Sequence, residues 1–273
     1  MFAWAFAGCA LAAAALDPAT ARARQALPVS AWHRGSKHKL IASDAPCFEA
    51  AARSGDSDAL LCQVGAELSE GLSHAVRRKE LFEAHAVAQL VQRHLEPVPS
   101  HIFELCAGCG LLAAFLVLMG QGRRARCVDL HKSALAERVL QCLSRRWPEL
   151  GEEVAWEEQC IQTYPELPHS DCLVVSCHAC GVLSDDVICA ATRGNICRPL
   201  VLLPCCYTNR RLGRRKDLQW ERWPWLQGGV VNRQGADAVN RARIGHLRQL
   251  GYHVTVDSVD PDITPMNMVI VAR

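Results

Sequence analysis

The chain has 273 residues, half of them hydrophobic and 21% charged, a balance that excludes a disordered or fibrous protein. Its 30 basic and 28 acidic side chains give a formal charge of +2, but residues 1–43 hold five bases (Arg22, Arg24, Arg34, Lys37, Lys39) against one acid, Asp17. The rest is nearly neutral, so bulk charge gives no case for a polyanionic partner.

Phe2 to Leu16 is an uncharged, Ala-rich run, and Pro18 to Ser43 is basic and free of acids. An apolar segment followed by a basic, acid-poor one is expected of a two-part targeting leader. Residues 1–43 are therefore read as an address to a plastid or mitochondrion, the alternative being a disordered leader on a cytoplasmic protein. No other stretch approaches membrane length, so no stable membrane insertion is expected once the leader is gone. Residues 44–71 read as one or two short helices. From Ser73 to Leu95 the pattern is helical, with Val87, Leu90, Val91 and Leu95 on one face, and Pro97 and Pro99 stop it. The helical extension is placed at 44–98 and a larger domain at 99–273.

Strands and helices then alternate. His101–Cys106, Arg126–Leu130, Val154–Ile161, Cys172–Ser176 and Leu200–Leu203 read as strands. Leu111–Met119, Ser133–Trp147 (ended by Pro148), Asp185–Thr192 and Ala236–Leu250 (closed by Gly251) read as helices. His253–Val259 and Met266–Ala272 follow as two strands with no helix between them. Alternation implies an α/β fold: a Rossmann-like, doubly wound, mostly parallel seven-stranded sheet with an antiparallel last strand. The fully apolar Cys172–Ser176 is predicted to be central.

Fifteen cysteines is a high and odd count. Cys172, Cys177, Cys180, Cys205 and Cys206 sit in or beside apolar strand-like runs, where cysteine behaves as a small hydrophobe, and a reducing compartment is expected.

Glu104-Leu105-Cys106-Ala107-Gly108-Cys109-Gly110 joins the first strand to the first helix, where a doubly wound sheet binds its ligand and small residues let the backbone come close. Asp129 ends the second strand, positioned to accept from ribose hydroxyls. A dinucleotide loop needs a third glycine, and that position is Ala113. Glu104, inside the strand, offers nothing to a pyrophosphate but suits an amine. The pattern Glu-x-x-x-Gly-x-Gly followed by a strand-ending Asp resembles the first two motifs of the class I methyltransferases. Three further stretches, Val175–Gly181, Leu203–Tyr207 and Asp262–Asn267, narrow the resemblance. They are similar to the domain shared by eukaryotic methyltransferase-like proteins, rRNA-adenine-dimethylase-domain-containing proteins and tRNA 2′-O-methyltransferases of the acceptor stem. Those families carry a His-x-Cys-Gly element after strand four and Cys-Cys-Tyr or Cys-Cys-His after strand five. Here these are His178–Gly181 and Cys205–Tyr207. Cys106 and Cys109 depart from the family, which usually has Gly and Gly or Lys there.

The resemblance implies S-adenosylmethionine as cofactor. Glu104 would hold the methionine amine, while Cys106, Ala107, Gly108 and Gly110 would bring backbone against the cofactor. Asp129 would bind the ribose with Leu130 beside it, Gln159 and Cys160 would lie at the adenine edge, and Ser176 would end the site on strand four. His178, whose free pKa lies near neutrality, is the candidate general base or polar substrate contact, and a structural histidine is the competing reading. Cys205 is a candidate nucleophile, although the Pro-Cys that such chemistry pairs with it is absent. The paired cysteines also leave a zinc or iron–sulfur site open, but one pair lies within the cofactor loop and the rest are scattered, so no metal is expected. Arg210, Arg211, Arg214, Arg215, Lys216 and Arg222, interleaved with Trp220, Trp223 and Trp225, suit phosphates and bases. The alternative is a solvated insertion whose tryptophans cover the sheet. Gly235–Arg243, with Asp237, Asn240 and Arg241, is expected near the same cleft, opposite Thr264, Pro265 and Asn267. The expected activity is methyl transfer, with RNA as the leading acceptor. The alternatives are a protein or small-molecule acceptor, or a non-catalytic module holding metal.

Overall fold

The computed structural model describes residues 38–55, 58–97, 99–120, 124–167, 171–205, 223–226 and 235–273. Most of the leader, Cys206, Tyr207 and the basic stretch up to Arg222 lie outside these residues. Among the described residues no helix is long and apolar enough to cross a membrane.

The strands are β1 (His101–Leu105), β2 (Arg124–Asp129), β3 (Val154–Glu158), β4 (Cys172–Ser176), β5 (Leu200–Leu202), β6 (Val254–Ser258) and β7 (Met268–Ala272). They form one sheet in the order β3-β2-β1-β4-β5-β7-β6. The first five are parallel, and β7 runs antiparallel to both β5 and β6. The expected sheet is thus present, and its turn of direction falls between β1 and β4.

Pleating sends alternate residues to opposite faces. Ile102, Leu173, Val175, Val201 and Val271 join one buried cluster, and Phe103, Val174, Leu200, Leu202 and Ile270 the other. Helices α1 (Ala45–Ser54), α2 (Ala59–Gly71), α3 (Arg78–His94), α4 (Leu111–Leu118) and α5 (Ala134–Ser144) contribute to the first cluster. Helices α7 (Leu183–Thr192) and α8 (Gly235–Gln249) contribute to the second, and the short α6 (Glu149–Glu153) leads into β3. The extension therefore shares the core of the sheet domain. Val87, Leu90, Val91 and Leu95 are all buried, as their spacing predicts.

Local chemistry sets the ends. Asp58 caps α2 by accepting from Leu60 and Leu61 N–H, and Ser133 caps α5 by accepting from Ala136 N–H. Three boundaries differ from expectation by three residues or more. The helix before β1 begins at Arg78 rather than Ser73, because His74 takes a left-handed φ of 64°. α5 stops at Ser144, and Pro148 starts the separate α6 instead of only ending its predecessor. β3 ends at Glu158 because its partner β2 ends at Asp129, and the chain turns through a short 3₁₀ segment at Ile161–Thr163.

Gly65, inside α2, shows how tightly the extension packs. A methyl group there would lie 2.6–2.7 Å from three ring atoms of the fully buried Phe48. Alanine favours a helix over glycine by about 1 kcal/mol, whereas forcing a methyl into a packed core costs about 1–3 kcal/mol. Gly65→Ala is therefore expected to be net destabilising despite the helical gain. A urea midpoint at or above wild type would refute this.

Candidate active site

The predicted site residues gather at the carboxyl ends of β1, β2, β3 and β4. After β1 the chain turns through three left-handed residues: Cys106 (φ 55°), Gly108 (φ 62°) and Gly110 (φ 76°). Cys106 thus adopts a glycine-like backbone at the position where the chain departs from the family. The loop is fastened from below, with Ala107 N–H donating to Val128 O at 3.2 Å and Gly110 N–H to Ala107 O at 2.9 Å. A side chain at Gly110 would meet Trp156 at 2.9 Å, so this position must stay bare.

Asp129 holds the loop to the tip of β2. One carboxylate oxygen accepts from Gly108 N–H at 2.9 Å and the other from Leu130 N–H at 2.7 Å. Leu130 is 41% exposed at the rim. Gln159 N–H donates to Asp129 O at 2.8 Å, bringing the half-buried Gln159 and Cys160 beside it.

Glu104 lies beneath the loop, fully buried, and accepts from Ala113 N–H at 2.8 Å and from the Cys127 thiol at 3.8 Å. Burial pushes its pKa from an ordinary 4.5 up to about 8, against the lowering effect of those two donors. The folded state then binds this proton more tightly than the unfolded chain, so stability falls as pH rises from about 4.5 towards 8. The limiting slope is about 1.4 kcal/mol per pH unit. Glu104→Gln is expected to remove that fall, seen as a shrinking difference between variant and wild type in urea unfolding at pH 5 and pH 8. A difference independent of pH would contradict it.

His178 follows β4 and stands over the loop, with its Cδ2 3.7 Å from where a Gly108 side chain would begin. Burial lowers its pKa. The charges that face it come from the first turns of α3 and the residue before it: Glu83 and Glu80 raise the value, Lys79 and Arg77 lower it. Glu83 was not anticipated. It is 3% exposed and paired with Lys79 at 2.9 Å, and its second oxygen has no hydrogen-bond partner among the described residues. The available signal was an acid flanked by Phe82 and Ala84 on the apolar side of a helix, four residues after a lysine. Ser176 and Thr264 also bury hydroxyl oxygens without a partner among the described residues.

The cysteines divide into two groups. Cys106, Cys109, Cys127 and Cys177 are held as neutral thiols by burial, which pushes Cys109 up to about 12 and raises the other three well above the ordinary thiol range. Cys180 and Cys205 are half-buried with their sulfurs 3.0 Å apart, and Gly181 N–H donates to Cys205 O. Among the described residues no group of three or more His, Cys, Asp or Glu is arranged to hold a metal ion.

Arg243 and Asp185 brace the His178–Gly181 loop from behind. Both are fully buried, and Arg243 donates to the two Asp185 oxygens at 3.0 and 2.6 Å and to Gly181 O at 2.8 Å. Trp225 donates its indole N–H to Asp185 at 2.8 Å and stacks on His246 at 3.7 Å. Trp223 stacks on Trp225 and helps line a cavity of about 220 Å³ with Ile161, Gln162, Asp186, Cys189 and Arg193. Of the other expected cleft residues, Asn240 is buried, Asp237 and Arg241 are exposed, and Asn267 bonds Val259 O.

Residues 79–211 match a family model described as a methyltransferase domain. No curated protein matches the chain. Similar solved structures include a protein of the NADB-Rossmann superfamily from Streptococcus agalactiae (13% identity, TM-score 0.41, covering 68% of this chain and 66% of that one). They also include a SAM-dependent methyltransferase from Aquifex aeolicus (11% identity, TM-score 0.39, 70% and 90%). A third is TrmK of M. capricolum bound to S-adenosyl-homocysteine (10% identity, TM-score 0.38, 70% and 66%). This chain therefore spans about two thirds of the first and third of these relatives. The family match over residues 79–211, the sheet order and the acid-tipped β2 facing a left-handed loop agree with a Rossmann-like methyltransferase domain in this part of the chain.

Proposed function

We propose that the chain is an S-adenosylmethionine-dependent methyltransferase that acts on RNA, with the cofactor held on the Cys106–Gly110 loop and the acceptor facing His178. When bound, S-adenosylmethionine supplies an electrophilic methyl group on a sulfonium. The residues fit it: bare, left-handed Gly108 and Gly110 allow backbone approach, and Asp129 presents a carboxylate at the ribose position. Glu104 places a buried carboxyl beneath the amine end, Leu130, Gln159 and Cys160 border the adenine, and Ser176 closes the floor with a spare hydroxyl. Methyl transfer is an in-line displacement governed by positioning. His178 is kept neutral by burial, so its imidazole is free to accept a proton from an acceptor hydroxyl or amine. Cys205, half-buried at the end of β5, borders the same space.

One observation supports RNA above the other acceptors. The basic, Trp-bearing stretch is flanked by Cys205, in contact with Cys180, and by Trp223–Trp225, docked on Asp185. The described residues that border it are thus fixed beside the His178–Gly181 loop, and its run of cations and tryptophans suits a phosphate backbone and stacked bases. The test is transfer of a labelled methyl group into total RNA and total protein in parallel. Label is expected in RNA, and label confined to protein would refute the reading.

A further inference from the structure

We infer that Cys180 and Cys205 form an oxidisable dithiol whose closure to a disulfide switches the methyltransferase off. The two residues lie on neighbouring loops joined by a parallel bridge and by the Gly181 N–H to Cys205 O bond of 3.0 Å. Their sulfurs stand 3.0 Å apart, against about 2.05 Å in a disulfide, so closure needs a movement of only about 1 Å. Both residues are half-buried and within reach of a small oxidant. The surrounding cysteines do not compete well. Cys109, Cys127 and Cys177 are buried, and the half-buried Cys106 is held as a neutral thiol by desolvation and the nearby acids, whereas the thiolate is the reactive form.

The oxidant is hydrogen peroxide. One thiol attacks the peroxide oxygen, the O–O bond breaks, and the sulfur becomes a sulfenic acid with release of water. The second sulfur then attacks the first, forming the S–S bond and releasing a second water. Two protons and two electrons leave the protein, and an external dithiol returns them by exchange. The consequence for catalysis rests on the proposed placement of the acceptor at His178, whereas the cross-link itself does not. Cys180 is two residues beyond His178, and Cys205 opens the segment towards Trp223. Pulling the loops together by about 1 Å displaces His178 relative to the cofactor loop, and a misplacement of that size costs on the order of 100-fold in rate.

The test uses the full chain, titrated with hydrogen peroxide and mapped by mass spectrometry without reduction. The expected product is a peptide pair joined at Cys180 and Cys205, lighter by two hydrogens and restored by dithiothreitol. Methyl incorporation into the RNA and protein pools should fall with the appearance of this pair and recover with it. S-adenosylmethionine binding, followed by calorimetry, should persist. Cys180→Ser should abolish the cross-link and the recoverable part of the inhibition. Separate adducts on the two cysteines, or a link between Cys205 and Cys206, would overturn the dithiol. A complete Cys180–Cys205 link with undiminished methyl transfer would overturn the switch. Failure of the reduced protein to bind the cofactor would instead count against the cofactor site, and the peptide map would still decide the dithiol.

Discussion

Asp129→Ala is expected to weaken S-adenosylmethionine binding by on the order of 100-fold or more. The carboxylate is placed to accept from ribose hydroxyls, and each hydrogen bond to a charged acceptor contributes about 1.5–3 kcal/mol, so two correspond to that range of affinity. Two further losses act in the same direction. Gly108 N–H and Leu130 N–H lose their acceptor, and the loop loses its tie to β2. Both groups are near solvent, so water can take them up and the fold should survive with little change in melting temperature. Calorimetry on the variant and wild type, with circular dichroism to confirm folding, decides the matter. An unchanged dissociation constant would remove the cofactor from this loop.

The largest effect on stability is expected at Arg243. Arg243→Met should cost about 3–5 kcal/mol, because it leaves Asp185 as a buried charge with Trp225 as its remaining donor in this network. Gly181 O also loses a 2.8 Å bond, which loosens the loop carrying His178. Adding Asp185→Asn removes the uncompensated charge while keeping an acceptor for the Trp225 indole. The double variant should therefore be more stable than the single one, although two substitutions ordinarily do more harm than one. Urea unfolding of the two variants measures this directly. Strictly additive losses would show that the pair is not coupled.

Much of the architecture was legible because buried parallel strands write themselves as short apolar runs. Cys172–Ser176 was placed to the residue, and the loop from Glu104 to Gly110 was found by its glycines and flanking acids. The helix ends were less readable, since His74 and Pro148 act through backbone geometry that composition does not express. Pairings distant along the chain were invisible. Arg243 read as one of several polar residues opening a helix, and only the fold brings it to Asp185, 58 positions away. Glu83 was hidden for the same reason: its significance comes from facing His178, which a different element supplies. Trp225, read as a stacking surface, is in part a strut, with its ring on His246 and its N–H on Asp185.

The position of β7 between β5 and β6 has a consequence for biosynthesis. When residues 200–202 leave the ribosome, β5 can pair with β4 on one side only. Its other edge, buried and wholly apolar in the finished protein, waits for residues 268–272. An unpaired apolar edge is a template for pairing with a foreign strand. The nascent chain thus remains open to aggregation until its last strand inserts, and chaperone protection matters most in that interval.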